Sequence, residues 1–362
     1  MEFDWFSAAA ALTTYQTMDV LLDGQRPAPP RPRPAPEATF IDNSEYTTAT
    51  TPEWDDYIGQ KALKNRLRQS IESAKIRDAR LDHVLLASGM PGVGKTTMAR
   101  IIAKEMGVHI IELVPKFSIA SLVEACETLD DGDILFIDEI HKLAENGKRG
   151  AEVLLKLLED HVIFLDGQAI PIADITVIGA TTDVDMLPET IVDRFKIKPY
   201  FEKYDVHELA RITTSFMDRH GYVWDIDKDE DLIFGIAEAC RSTPRVCEEF
   251  AMAVRDLQVT RGRRPTLAEV LAFQQVEPDG MTRQHIAYLV NMFKYNKRTV
   301  KNKIEWVAGE AVMMSMLRET RQGIQRIERF LMESGYIDRT PSGRRLTPAG
   351  IKKAQSYIKR DF

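Results

Sequence analysis

Two short motifs have the residue types and the spacing that phosphate chemistry needs. The first is Gly-Met-Pro-Gly-Val-Gly-Lys-Thr at residues 89–96, which fits the pattern G-x-x-x-x-G-K-[ST]. Glycines let the backbone curl so that successive N–H groups point at a phosphate. Lys95 can then reach the outer phosphate oxygens, and the Thr96 hydroxyl can bind Mg²⁺. The residues predicted to hold the nucleotide here are Gly92, Val93, Gly94, Lys95, Thr96 and Thr97.

The second motif is an acidic pair, Asp138 and Glu139, directly after the apolar run Ile134–Ile137. The run predicts a buried strand beside the strand that leads into the phosphate loop. At the end of such a strand, Asp138 can hold Mg²⁺ through water, and Glu139 can act as general base for the attacking water. An acidic pair can also merely cap a helix. Its combination with the phosphate loop favours hydrolysis of ATP with Mg²⁺.

Three further positions could complete such a site. The apolar run at residues 175–182 ends in Thr182, which can orient the lytic water, although threonine is common in strands. Arg194 can reach the γ-phosphate of a neighbouring subunit as a trans finger, and the alternative for a single arginine is a surface ion pair. Residues 243–245, Thr-Pro-Arg, begin a predicted helix. From there Arg245 can touch the phosphate in cis and couple the domain angle to the nucleotide state.

The elements that must position these residues alternate between strands and helices. Short apolar runs at residues 81–88, 110–113, 134–137 and 175–179 are typical of buried parallel strands, and helical patterns separate them. The alternation predicts a doubly wound α/β sheet. Beyond it, residues 201–280 have helical spacing throughout. We therefore predict an N-terminal segment (1–52), a nucleotide-binding domain (53–200), a helical lid domain (201–280) and a C-terminal domain (281–362).

The C-terminal domain carries the basic charge of the chain. Residues 281–362 hold 17 Lys and Arg against 7 Asp and Glu, whereas the whole chain has a net charge of −7. A helix over 320–334, capped by Gly335, is followed by a basic hairpin at 336–345, which is a winged-helix pattern suited to DNA phosphates. The alternatives are a solvated basic face and a protein-binding winged helix. The predicted DNA contacts are Arg318, Arg321, Arg339, Arg344 and Arg345.

The composition indicates the cellular compartment in which the protein works. Three cysteines in no metal-ligand spacing indicate a reducing compartment without structural disulfides. No apolar run approaches the length of a membrane span, so we expect a cytoplasmic protein without a membrane partner. Residues 1–22 are followed by a stretch at 26–36 with six prolines, which predicts an extended linker. Residues 1–22 could bind a protein partner, or they could be a disordered tail.

The order of these pieces resembles the AAA+ ATPases and, within them, the RuvB family of bacterial Holliday-junction branch-migration motors. The phosphate motifs alone indicate only AAA+ ATPases. The Ala-Thr-Thr strand end, the Thr-Pro-Arg and the Arg-Thr-Pro-x-Gly-Arg hairpin indicate this one family. The matching stretches are residues 56–60, 81–86, 90–97, 135–141, 178–182, 193–195, 243–245 and 335–344.

The resemblance implies a role for each matching residue. Thr182 would be the water sensor, Arg194 the trans finger and Arg245 the cis sensor. The resemblance also implies a hexameric ring and a winged helix that touches DNA. The implied contacts with the nucleotide outside the phosphate loop are Tyr57, Ile58, Tyr204 and Pro244.

Two departures from the family point to a divergent relative. Residues 162–172 form only a short predicted hairpin with an Asp166–Gly167 turn, where the family has a long hairpin that docks its partner RuvA, so docking to RuvA is in question. The N-terminal segment has no counterpart in the family. We therefore favour an ATP-driven DNA translocase or branch-migration motor. The alternatives are a helicase loader or replication initiator of the AAA+ class, and a DNA-bound scaffold recruited through the N-terminal segment.

Overall fold

The computed structural model describes residues 41–42, 51–113, 118–145, 148–165, 167–241, 243–300 and 303–360. The proposed partner-binding segment at residues 1–22 and the proline-rich linker at 26–36 lie outside the described residues. None of the described helices is both long enough and apolar enough to cross a membrane.

A five-stranded sheet forms the centre of the N-terminal half, in the order β1-β3-β4-β7-β2. The pairs β3–β4, β4–β7 and β7–β2 are parallel, and β1 is antiparallel to β3. All side chains of β3, β4 and β7 are buried, as expected for a parallel sheet covered by helices. The predicted parallel α/β fold is therefore confirmed. The strands of this half are β1 (Ile41–Asp42), β2 (Val84–Ala87), β3 (Ile110–Leu113), β4 (Ile134–Ile137), β5 (Val162–Leu165), β6 (Gln168–Pro171) and β7 (Thr176–Thr181).

One detail of the predicted sheet is wrong. The strand that ends in the acidic pair, β4, does not lie beside β2, which leads into the phosphate loop, because β7 lies between them. The chain order of strands gives no direct information on which of them are neighbours. The consequence is functional, since the end of β7 now sits between the phosphate loop and the acidic pair.

Helices surround the sheet and are set by local sequence signals. The helix after the phosphate loop lies between Gly94 and Gly107. These two glycines have positive φ angles of 96° and 72°, which glycine adopts without strain. Its buried residues Met98, Ile101 and Ile102 follow the helical period and face the sheet. The helices of this half are α1 (Lys61–Ile76), α2 (Lys95–Met106), α3 (Ile119–Glu127), α4 (His141–Glu145), α5 (Lys148–Asp160) and α6 (Glu189–Val192), with a 3-10 turn at Val184–Met186.

The strands β5 and β6 form a separate two-stranded hairpin. Each strand has four residues, so the predicted short hairpin is confirmed. Its turn contains Gly167 at a φ of 82°, while Asp166 lies outside the described residues. Phe164 on the hairpin is 48% exposed.

Four helices follow the sheet: α7 (Val206–Arg219), α8 (Ile226–Ala239), α9 (Pro244–Arg261) and α10 (Leu267–Gln274). Asp205 and Glu208 form a reciprocal capping box at the start of α7, and Pro244 occupies the first turn of α9, both of which are favoured helix starts. The buried faces of these helices share one hydrophobic core with the sheet.

The C-terminal unit is a winged helix with an additional hairpin. It contains α11 (Arg283–Tyr295), β8 (Lys297–Val300), β9 (Lys303–Ala308), α12 (Glu310–Leu317), α13 (Arg321–Glu333), β10 (Ile337–Thr340), β11 (Gly343–Leu346) and α14 (Pro348–Arg360). The strands form one antiparallel sheet in the order β10-β11-β9-β8. The winged-helix prediction is confirmed, and Gly335 follows α13 with a φ of 70° as expected for its cap. The hairpin β8–β9, which precedes the predicted helix, was not predicted from the sequence.

The winged helix contacts the nucleotide-binding half through α13. Arg329 donates a hydrogen bond to the carbonyl oxygen of Gly89, the first residue of the phosphate loop. Glu333 forms an ion pair with Lys203 at 3.0 Å. The basic unit is therefore directly linked to the loop that would hold the nucleotide.

Candidate nucleotide site

The phosphate loop connects β2 to α2 and needs glycine at two positions. Gly92 and Gly94 have φ angles of 74° and 96°, a conformation that other residues adopt only with strain. A Cβ atom on Gly92 would lie 2.9 Å from the Cβ of Arg245, and one on Gly94 would collide with the Tyr57 hydroxyl. The glycines therefore allow both the curl of the loop and the close approach of its neighbours.

Lys95 is the cation of the loop, and it is buried. Its Nζ donates a hydrogen bond to Ser88 Oγ at 3.3 Å, and the Ser88 hydroxyl in turn donates to the carbonyl oxygen of Met90 at 2.6 Å. Burial lowers the pKa of Lys95, although the nearby carboxylates of Glu139 and Asp138 oppose this effect. A cation that has lost water and has few partners favours the binding of an anion. The positioning role of Ser88 was not predicted.

The acidic pair follows β4 directly. Burial raises the pKa of Asp138, and the neighbouring Glu139 carboxylate raises it further. Glu139 has a φ of 50°, and its backbone N–H donates to Asp138 Oδ1 at 3.0 Å. A non-glycine residue held in this left-handed conformation is strained by about 1–3 kcal/mol, and such strain concentrates at functional sites.

The end of β7 brings hydroxyl groups to Glu139. Thr182 Oγ1 donates to Glu139 Oε2 at 3.2 Å. The buried ring of His141 places its Nδ1 2.8 Å from Thr181 Oγ1 and 3.3 Å from Glu139 Oε2. The predicted water sensor and the predicted general base are thus hydrogen-bonded to each other. His141 stands within one of the stretches that match the family but has no predicted role, because its contact with Thr181 spans 40 residues of sequence.

Two tyrosines pack against the other side of the loop. The Tyr57 hydroxyl donates to the Val93 carbonyl oxygen at 3.0 Å, and the Tyr204 hydroxyl donates to the same oxygen at 3.1 Å. Burial raises the pKa of Tyr57 well above its usual value and that of Tyr204 to about 12. Both hydroxyls therefore keep their protons at neutral pH and can donate. Ile58 is partly buried and packs against the same core.

The phosphate loop, the acidic pair, Thr182 and the start of α9 enclose a cleft of about 350 Å³, which is within the size range of small-ligand sites. Tyr57, Ile58, Val93 and Tyr204 do not line it. Helix α9 closes one side, where the backbone N–H of Arg245 donates to the Gly92 carbonyl oxygen at 3.3 Å. Phe216 and Glu248 also line the cleft. Both were missed, although Glu248 lies three residues from Arg245 and therefore on the same helix face. The predicted residues that line it are Gly92, Gly94, Lys95, Thr96, Thr97, Asp138, Glu139, Thr182, Pro244 and Arg245.

Arg194 does not line this cleft. Its guanidinium group lies on the surface, 41% exposed, in an ion pair with Glu159. That position is compatible with contact to a neighbouring subunit and equally with the surface ion pair considered above.

Comparison with known proteins places this site in a family. The model of the "Holliday junction DNA helicase RuvB P-loop domain" matches residues 51–200, and that of the "RuvB C-terminal winged helix domain" matches residues 278–355. The Holliday junction branch migration complex subunit RuvB of Lactobacillus johnsonii is 34% identical over 306 residues, which are 80% of this chain and 86% of that protein. The chain belongs to the RuvB family. The RuvB subunit of Trichormus variabilis is 33% identical over 336 residues, 88% of this chain and 87% of that protein.

Solved RuvB structures agree with the fold. The "Thermotoga maritima RuvB Holliday junction branch migration motor" matches with a TM-score of 0.69 and 30% identity, over 85% of this chain and 98% of that one. A point mutant of Thermotoga maritima RuvB matches with a TM-score of 0.70 and 29% identity, over 85% of this chain and 97% of that one. Membership of the RuvB family, with its P-loop domain and the cleft described above, makes this chain a nucleotide-binding ATPase.

The donor set fits Mg²⁺ bound together with a nucleotide. Among the described residues, no cluster of three or more histidine, cysteine or acidic side chains could hold a metal alone. Thr96 and Asp138 instead supply oxygen atoms to the same cleft as Lys95. Mg²⁺ commonly binds through one or two protein oxygens together with phosphates and water.

The five arginines predicted to contact DNA differ in their surroundings. Arg318 and Arg339 are exposed, and neither has a carboxylate partner among the described residues. Arg321 is 71% exposed and lies 3.4 Å from Glu310. Arg345 is 39% exposed and lies within 3.7 Å of Glu305 and 3.4 Å of Asp338.

Arg344, one of the five arginines predicted to contact DNA, lies inside the winged helix. Its side chain is only 12% exposed and forms ion pairs with Glu328 at 2.8 Å and with Glu310 at 3.5 Å. Glu328 is fully buried and also accepts a hydrogen bond from the Tyr288 hydroxyl at 2.8 Å. Arg344 therefore anchors β11 to α13 inside the winged helix.

We predict that Arg344→Ala lowers the melting temperature of the protein, because it leaves the buried Glu328 carboxylate without its cation. Loss of one partner of a buried pair costs about 3–5 kcal/mol. The matched control is Arg339→Ala on the neighbouring strand, an exposed arginine whose loss should cost less than about 0.5 kcal/mol. Calorimetric melting curves of both variants check this, and equal melting temperatures would remove the anchoring role.

Proposed function

We propose that this protein is an ATP-hydrolysing, ring-forming DNA motor that moves Holliday junctions by branch migration. The observation that carries the proposal is the meeting of Lys95, Glu139 and Thr182 around one cleft, in a chain whose relatives are named as subunits of the Holliday junction branch migration complex. A scaffold protein would not need a general base beside its phosphate loop.

In the proposed mechanism, the charge of Lys95 stabilises the β- and γ-phosphates, and the loop N–H groups bind the same oxygens. Thr96 and Asp138 would hold Mg²⁺, which neutralises phosphate charge when bound. Glu139 polarises the attacking water. Thr182 donates to the Glu139 carboxylate and so fixes its direction toward that water.

The nucleotide base would lie against Tyr57, Ile58 and Tyr204. The support is the position of the two tyrosine hydroxyls on the Val93 carbonyl oxygen, which brings the aromatic rings to the edge of the loop. Pro244 and Arg245 would close the site from the lid side, since Arg245 already reaches the loop through Gly92. A change in the lid angle would then move Arg245 relative to the γ-phosphate.

A ring of subunits completes the proposed site. Arg194 lies outside the cleft of its own chain, and its guanidinium group is partly exposed, which supports contact with a phosphate of another subunit. We therefore propose that Arg194 of an adjacent subunit completes each site. The resemblance to the RuvB family favours six subunits in the ring.

An Arg194→Ala variant is expected to keep its affinity for ATP and to lose turnover by about 10²-fold or more, because the transition-state charge loses its trans cation. The matched control is Arg68→Ala, which removes another exposed arginine in an ion pair, with Asp55. Exposed ion pairs contribute only about 0–1 kcal/mol. If both variants hydrolyse ATP like the wild type, Arg194 is only a surface charge.

Mixed rings provide an independent test of the trans arrangement. Arg194→Ala subunits keep Glu139, and Glu139→Gln subunits keep Arg194. An interface that joins the two can contain one intact set of groups, so a mixture should recover part of the turnover. Two inactive variants that stay inactive in every mixing ratio would argue for Arg194 acting in cis or not at all.

The proposed activity is tested by movement of a synthetic Holliday junction with ATP and Mg²⁺. Wild-type protein should convert the junction into duplex products, and Glu139→Gln should bind the junction without converting it. ATP-dependent assembly on DNA without junction movement would favour a helicase loader or initiator. Full biological complementation by the Glu139→Gln variant would favour a DNA-bound scaffold.

The partner proteins belong to this proposal as well. The hairpin β5–β6 has only four residues in each strand, and we infer that it offers little surface for a RuvA-like partner. A different protein partner could bind through residues 1–22. The domain limits that we propose remain 53–200, 201–280 and 281–362, preceded by the N-terminal segment.

A further inference from the structure

The predicted wing of the C-terminal unit has little free positive charge. Of the arginines on β10 and β11, Arg344 is neutralised by two glutamates, and Arg345 lies between two carboxylates. Only Arg339 is exposed without a described acidic partner. Contact with a DNA phosphate requires a cation that is free to neutralise the phosphate and so release the counterions of the DNA, and this hairpin supplies few such cations.

The unpredicted hairpin β8–β9 has the opposite character. Lys297 and Arg298 on β8, and Lys294 in the last turn of α11 just before it, are exposed, and no described carboxylate lies within ion-pair distance of any of them. The sequence contains no Asp or Glu between Lys294 and Ile304. Tyr295 is 68% exposed and Ile304 is 53% exposed, so apolar surface lies beside the cations. Such a combination suits a nucleic-acid backbone, with cations for phosphates and apolar atoms for sugars.

The base of this hairpin is held firmly on the winged helix. The backbone N–H of Val307 donates to the carbonyl oxygen of the buried Asn296 at 3.0 Å. The rings of Phe293 and Trp306 stack with centroids 5.1 Å apart and an interplanar angle of 15°. Strand β9 also pairs with β11. The cations therefore lie at a fixed position beside the same antiparallel sheet that contains the predicted wing, β10–β11.

The hairpin is also the outer edge of the sheet, because β9 is the single partner of β8 among the described strands. Lysines on an edge strand can serve simply to prevent pairing with other chains. Glu305 is opposite Arg298 in the ladder, but its ion-pair contact is with Arg345 at 3.7 Å. Three neighbouring cations without acidic partners are more than the protection of one strand edge requires. The arginines of the predicted wing, β10–β11, are mostly paired with carboxylates. The distribution of free charge favours DNA.

We propose that the hairpin β8–β9 is a second wing, and that Lys294, Lys297 and Arg298 make the main contact of the C-terminal unit with the DNA phosphate backbone. This inference rests on the proposed DNA-motor function, because that function makes DNA the ligand. It assigns the contact to a region outside the five arginines predicted from the sequence.

The test compares the full-length wild type with two charge-matched double variants. Lys297→Ala with Arg298→Ala removes two cations from the hairpin. Lys352→Ala with Lys359→Ala removes two exposed cations from α14. Binding to a synthetic Holliday junction and to linear duplexes of unrelated sequence is measured across a salt series.

The hairpin variant should bind every DNA more weakly, and its slope of log K against log salt should shrink by about two, one unit for each lost phosphate contact. The α14 variant should match the wild type. A hairpin variant with wild-type affinity and slope, or an equal loss in both variants, would overturn the second wing while leaving the DNA-motor function intact. A wild type that binds no DNA would overturn both. Self-association of the hairpin variant with unchanged DNA binding would assign the cations to edge protection.

Discussion

A Glu139→Gln variant is expected to bind ATP like the wild type and to hydrolyse it on the order of 10²–10⁴-fold more slowly. The amide keeps the size of the carboxylate, and its oxygen can still accept the hydrogen bond that Thr182 donates at 3.2 Å. The geometry of the site is therefore retained, while the group that accepts a proton from water is lost. A defect in turnover without a defect in binding is the expected signature.

The measurement combines single-turnover hydrolysis with equilibrium binding of a fluorescent ATP analogue. The control is Glu248→Gln, which removes the charge of another glutamate that lines the same cleft but has no position beside Thr182. Both variants lose one negative charge near the phosphates, so any purely electrostatic effect should be shared. Turnover of Glu139→Gln that stays within tenfold of the Glu248→Gln value would contradict a role for Glu139 as general base.

The phosphate site was largely predictable because its determinants are local. The loop and Asp138–Glu139 are contiguous in sequence, and β3 and β4 have the predicted bounds of Ile110–Leu113 and Ile134–Ile137. The short length of these runs, their isoleucine content and the Gly, Pro or acidic residues near them favour strands over helices. The order of the strands was harder to predict from the sequence, because the position of β7 between β4 and β2 depends on how the connections between strands pack.

Contacts over long sequence distances explain most of what was missed. His141 meets Thr181 across 40 residues, and Arg329 meets Gly89 across 240. His141, Thr181 and Arg329, taken alone, are ordinary polar residues, and Gly89 contributes only its backbone carbonyl oxygen. Their meeting depends on tertiary packing, which the spacing within one element does not specify.

The burial of Arg344 and the hairpin β8–β9 escaped sequence prediction for related reasons. Arg344 and Arg345 are adjacent, and neighbouring residues of a strand point to opposite faces, but their sequence does not specify which face meets the buried Glu328. The hairpin β8–β9 is hard to detect because cations interrupt its apolar pattern. The alternation of Ile304 with Trp306 and the β-branched Thr299 are the available strand signals. A cluster of basic residues is equally compatible with a helix surface and with a hairpin, so charge alone does not locate a second wing.

Lys95→Ala is expected to abolish useful ATP binding. The Lys95 ammonium would make charge-assisted hydrogen bonds with the β- and γ-phosphates, each worth about 1.5–3 kcal/mol. Loss of two such bonds weakens binding by about 10²–10⁴-fold. The matched control on the same helix is Lys104→Ala, whose ammonium group pairs with the exposed Glu53 at 2.6 Å and should leave ATP affinity within about twofold of the wild type.

Folding can be separated from binding in this experiment. Burial lowers the pKa of Lys95, so its charge is costly in the empty cleft, and its removal should not lower the melting temperature of the nucleotide-free protein. Added ATP stabilises a protein in proportion to its binding. The wild type and Lys104→Ala should therefore melt at higher temperature with ATP and Mg²⁺, whereas Lys95→Ala should show no shift. An equal ATP-dependent shift in all three proteins would place the nucleotide outside the phosphate loop, and the assignment of the whole cleft would fail with it.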